Sequence, residues 1–128
     1  MDAEKFYASK FKAARVDGYE VFDVIRRQDK ECFTQGLVFE RLSIDGVAPA
    51  EETLSEVCGE KGKSRVQRMR FKMDVAQTFW VAEVVSRSEF ESQVWSVGLT
   101  QVSPSSFISL TWQDRLFYLI DKDTLTIL

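Results

Sequence analysis

The chain has 128 residues, a net charge of −3, two cysteines and no histidine. The missing histidine excludes any intrachain Ser-His-Asp or Cys-His device and any metal site built on imidazole, and two cysteines alone cannot complete a four-thiolate zinc cage. At 45% hydrophobic and 12% aromatic, the composition suits one compact domain over residues 1–128 with an ordinary core.

No apolar run approaches the roughly 18 residues of a membrane span, and Met1 to Lys12 is charged throughout, unlike a signal core. The expected setting is therefore cytoplasmic, with Cys32 and Cys58 as two buried thiols and no cofactor.

In chain order, Ala3, Phe6, Tyr7, Phe11 and Ala14 recur at three- and four-residue steps behind Asp2, which predicts an amphipathic N-terminal helix ended by Asp17-Gly18. Tyr19 to Arg27 and Cys32 to Ile44 then alternate with period two and predict a long antiparallel hairpin, with Gly36 marking a bulge. Pro49, Glu51 and Glu52 suit the first turn of a helix, and Leu54, Val57 and Cys58 share a stripe closed by Gly59, so a short inserted helix is expected there.

Ser64 to Val75 is the cleanest strand, and with Phe79 to Ser86 it predicts a second hairpin. Ser88 to Val97 fits both a capping box and an alternating strand, and the strand is preferred. Ser103-Pro104-Ser105 is a turn, Phe107 to Trp112 and Leu116 to Ile120 form a final hairpin, and Asp121 to Thr124 turns again. The Asp-Lys-Asp-Thr run has the alternation of a calcium-loop start without its further acidic ligands, so it reads as a plain turn and no metal site is assigned. The expected fold is thus α+β: six to seven mostly antiparallel strands, enough to curl into a partly closed barrel, with an N-terminal helix and one short inserted helix. The order is similar in outline to hot-dog acyl-thioester domains and to lipocalin-like or cystatin-like binding folds, a likeness of architecture carried by no signature residue.

Lys61 to Met73 holds six basic residues and no acidic one. This strip predicts a binding module without catalysis, in which Arg65, Arg68, Arg70 and Lys72 steer an acidic protein partner or a second copy of the chain, and Trp80 and Trp95 anchor it. The acidic body argues against nucleic acid. The alternative is a barrel that takes a small apolar ligand, lined by Phe22, Phe39, Phe71 and Trp112, as a carrier or as a hydrolase or isomerase working through carboxylates such as Asp23.

Overall fold

The computed structural model describes residues 18, 20, 24–42, 51–76 and 79–128. These form eight strands: β1 (Arg26–Arg27), β2 (Thr34–Leu42), β3 (Glu51–Cys58), β4 (Arg65–Asp74), β5 (Phe79–Glu89), β6 (Ser96–Ser103), β7 (Ser106–Thr111) and β8 (Phe117–Asp121). They divide between a five-stranded sheet of order β1-β5-β4-β3-β2 and a three-stranded sheet of order β6-β7-β8. The α+β expectation is corrected: the described residues are all-β, in two sheets, and contain no helix. The expected N-terminal helix lies outside the described residues. No described helix is long and apolar enough to cross a membrane.

The inserted helix is replaced by β3. Thr53, Ser55 and Val57 face one way and Leu54, Glu56 and Cys58 the other, and β3 pairs antiparallel with β2 on one side and β4 on the other. A three-turn helix gains little from propensity alone, so two ladders of sheet hydrogen bonds outweigh the helical stripe. The first hairpin is also corrected, because β1 pairs in parallel with β5 (Arg26↔Val81) while β2 pairs with β3. The β4–β5 and β7–β8 hairpins form as expected, and Ser88 to Val97 continues β5 only to Glu89 before β6 begins at Ser96.

The bulge falls where Gly36 predicts it, as a register shift between Thr34 and Gly36. Past it, Val38, Val57 and Val66 turn toward the smaller sheet and pack with Val94, Leu99, Phe107, Ile120 and Leu125. Phe107 is fully buried, and a side chain of that size contributes about 2–3 kcal/mol by leaving water. This apolar seam carries one ionic lock. The buried Glu40 carboxylate lies 2.9 Å from Lys122 Nζ and 3.6 Å from Arg68 Nη2. The Arg68 guanidinium also donates to the Asp123 carbonyl at 3.1 Å and to the Lys122 carbonyl. β2 and β4 are thereby fastened against the loop after β8.

Candidate functional site

On the outer face of the larger sheet, the register places Glu56 opposite Gln67 and Cys58 opposite Arg65. Glu56 is 1% exposed. Its Oε1 accepts from Arg27 Nη2 at 2.6 Å and Gln67 Nε2 at 2.7 Å, and its Oε2 accepts from the Thr34 hydroxyl at 2.9 Å. Thr34 itself accepts from Arg27 Nη1 at 2.6 Å. Gln67 passes the network on to Asp29 Oδ2 at 3.1 Å, which also takes Arg65 Nη2 at 2.5 Å. A buried carboxylate is tolerated only with such partners, so this hub ties β1, β2, β3 and β4 together.

Burial works to raise the Asp29 pKa, but hydrogen bonds from Arg65, Gln67 and the Glu31 amide, with the Arg65 charge, outweigh it and hold the carboxyl at about 2 against an ordinary 3.8. A carboxyl whose pKa is depressed on folding stabilises the fold above its unfolded value and loses that contribution as pH falls through the folded one. Between pH 4 and pH 2, therefore, stability is expected to drop by about 1–2 kcal/mol on account of Asp29, allowing for solvent screening. Urea unfolding across that window should show a shallower pH dependence for Asp29→Asn than for the natural chain, and equal slopes would remove Asp29 from the linkage.

Beside the hub, Cys32 and Cys58 are joined as a disulfide, which corrects the expectation of two free thiols. Their sequence separation of 26 hides a Cα–Cα distance of 5.0 Å, created by the β2–β3 pairing that sets Thr34 opposite Cys58. Phe33 follows Cys32, precedes the anchored Thr34 and accepts the Gly59 amide at its carbonyl, 2.8 Å away.

Here the two sheets come closest. A methyl group on Gly59 would lie 2.3 Å from the Ser96 carbonyl oxygen, 2.5 Å from Gln35 Cγ and 3.1 Å from Trp95 Nε1, and one on Gly36 would lie 2.3 Å from the Leu99 amide nitrogen. Trp112 joins this end through its amide, which donates to the Trp95 carbonyl at 2.8 Å. Phe33 and Trp112 remain 59% and 56% exposed. These neighbouring segments make an aromatic end, the rim, on which Gln35 Cγ and Trp95 Nε1 both lie against Gly59 and the side chains of Phe33 and Trp112 are open to solvent. Aromatic faces bind flat groups and cations, and a side-chain amide pairs with another amide in both directions.

A groove of about 310 Å³ lies on the outer face, walled by Ile25, Leu37, Leu54, Met69, Phe71 and Ala82, and Arg27, Thr34 and Glu56 also line it.

The residues singled out from sequence are spread over these features. Arg65 is buried against Asp29 and Arg68 is buried against Glu40. Arg70 pairs with Glu83 at 3.0 Å, and Lys72 is exposed. Trp80 stands opposite Met73, far along the β4–β5 hairpin from the rim's strand ends. Phe71 walls the groove, Phe39 lies exposed opposite Leu54, and Trp95 and Trp112 meet at the rim. Phe22 and Asp23 lie outside the described residues. Sequence reasoning missed Phe33, Gln35 and Gly59. The available signal was a glycine interrupting an apolar strand, at Gly36, and another directly after the β3 cysteine, since such positions mark close backbone approach.

The fold and rim describe a two-sheet, mostly antiparallel β protein with an aromatic end open to solvent. Residues 3–128 match the sequence profile of the glutamine cyclotransferase family, and the chain belongs to that family. No curated protein and no solved structure matches it.

Proposed function

We propose that this chain serves glutamine cyclotransferase chemistry on a glutamine at the amino end of its substrate, with the aromatic rim as the recognition surface. The observation that carries the reading is the family match over residues 3–128. In the reaction the substrate's neutral α-amine attacks its own γ-carboxamide carbon. A new C–N bond closes a lactam, the old amide C–N bond breaks, and the proton lost by the amine leaves with the nitrogen as ammonia. Most of the barrier in such a ring closure is removed by holding the amine against the carbonyl in one conformer.

The geometry of the rim supports that role. The rings of Phe33, Trp95 and Trp112 offer faces for the aliphatic stem and for the amino group, while the Gln35 amide is of the right kind to pair with the γ-carboxamide. Because the chain has no histidine, proton transfer in this reading falls to another side chain or to water. Glu56, already accepting from three side chains, positions β2 and does not take that proton.

The test is to incubate the protein with a short amidated peptide beginning in glutamine and to follow released ammonia and the matching mass loss against the uncatalysed rate. Turnover is expected, and Phe33→Ala and Trp112→Ala, both on exposed side chains, should each lower kcat/KM by about 10- to 100-fold while leaving the unfolding midpoint nearly unchanged. Ammonia release no faster than in buffer would reject the reading.

The groove supports a second, narrower reading, that of a small apolar ligand held at Phe71. Quenching of tryptophan fluorescence by fatty-acyl probes, lost in Phe71→Ser, would distinguish it from the rim.

A further inference from the structure

The disulfide and the hub share a buried corner with a chemistry that neither the rim nor the cyclisation uses. The ligand atoms of Cys32, Cys58 and Glu56 all lie within 4.8 Å of one another, and all three residues are buried. We propose that reduction of the Cys32–Cys58 bond converts this corner into a zinc site, with both thiolates and one oxygen of Glu56 as ligands.

The carboxylate is divided in a way that suits the role. Oε1 is occupied by Arg27 and Gln67, whereas Oε2 accepts from the Thr34 hydroxyl, which is itself 3.8 Å from Cys32 Sγ. Oε2 is thus the oxygen linked through Thr34 to Cys32, and the Oε1 partners become the outer shell that orients a ligating carboxylate. Zinc takes thiolate at about 2.3 Å and carboxylate at about 2.0–2.2 Å in tetrahedral sites, which sets ligand atoms about 3.5 Å apart. Side-chain rotation of the two cysteines supplies the change from a bonded pair. Two thiolates and a carboxylate on a divalent ion leave a net single negative charge, and the Arg27 guanidinium 2.6 Å from Oε1 offsets it. The fourth position goes to water beside the Thr34 hydroxyl. Soft sulfur donors with one carboxylate favour zinc over the harder magnesium or calcium.

The step balances with a dithiol as reductant. The dithiol gives two electrons and two protons and becomes a disulfide, the Cys32–Cys58 S–S bond breaks to two thiols, and zinc then displaces both thiol protons to solvent. The oxidised protein holds a cross-link here and the reduced protein holds a metal, so β2 stays clamped to β3 in both states.

The experiment uses the whole chain, reduced with a dithiol that is then removed without air, and titrated with cobalt(II) as a coloured stand-in for zinc. One equivalent should produce an intense thiolate-to-cobalt charge-transfer band that zinc abolishes, and the oxidised protein should give none. Glu56→Gln should weaken the affinity roughly tenfold or more. The same titration in concentrated urea keeps the test informative if the variant or the reduced chain is poorly folded, since a built site must bind at least about tenfold more tightly in buffer. Absence of the band in the reduced protein overturns the proposal, as does a cobalt affinity that is the same in urea or the same for Glu56→Gln.

Discussion

Replacing Glu56 with alanine is expected to lower the unfolding free energy by about 3–5 kcal/mol, because the fully buried Gln67 amide is left without its acceptor, Thr34 loses one and the missing side chain leaves a cavity. The size follows from what the carboxylate holds. Arg27 and Gln67 would lose their shared acceptor, Thr34 would lose its own, and the β2 end that carries Phe33 and Gln35 would lose its tie to β3. A chain of this length has roughly 5–15 kcal/mol in all, so much of the reserve would go. Urea unfolding read by tryptophan emission would show the midpoint fall. Arg27→Ala should cost a comparable amount, because it leaves the 1%-exposed Glu56 carboxylate without its charge partner, although Gln67 and Thr34 still donate to it. Equal midpoints for Glu56→Ala and the natural chain would show that the hub carries no net stability.

Gly36→Ala is the second substitution expected to have a large effect, at about 2–4 kcal/mol. The added methyl would meet the Leu99 amide nitrogen at 2.3 Å and the Gly98 carbonyl carbon at 2.7 Å. Both are backbone atoms, so no side chain can swing aside and β2 must part from β6. The apolar seam behind them, with Val57, Val66 and Phe107, would open as well. Gly62→Ala provides the contrast. Its φ of +81° makes alanine strained, yet nothing lies closer than 3.9 Å, so only the left-handed penalty of about 1 kcal/mol applies. Comparable losses at the two positions would mean that conformation, and not the close approach of the sheets, sets the cost. If the approach does set it, Gly36→Ala should also red-shift tryptophan emission, since Trp95 lies against Gly59 where the same sheets meet and would gain contact with water.

What could be read from the residues was whatever depended on neighbours in the chain. Alternation of Val66, Arg68, Arg70 and Lys72 against Gln67, Met69 and Phe71 identifies β4, the short Ala76-Gln77-Thr78 gap joins it to β5, and Asp114 between two apolar runs marks the β7–β8 turn. Gly36 announced its bulge. The errors have one common cause. Leu54, Val57 and Cys58 at helical spacing, behind Pro49 and two glutamates, are locally as good a helix as a strand, and only pairing with β2 and β4, distant in sequence, decides for β3. The same holds for the disulfide, since two cysteines 26 positions apart become neighbours only after that pairing forms. Charge followed the same rule: a run of cations is contiguous in sequence, but alternation and the packing of the second sheet bury Arg65 against Asp29 and Arg68 against Glu40, leaving Lys72 in solvent. Sequence alone therefore determined the strand-rich composition, the absence of imidazole chemistry and the two later hairpins. Tertiary structure decided the two-sheet architecture, the buried carboxylate hub and the adjacency of the Phe33, Trp95 and Trp112 segments, because each depends on contacts whose closure only the folded chain can supply.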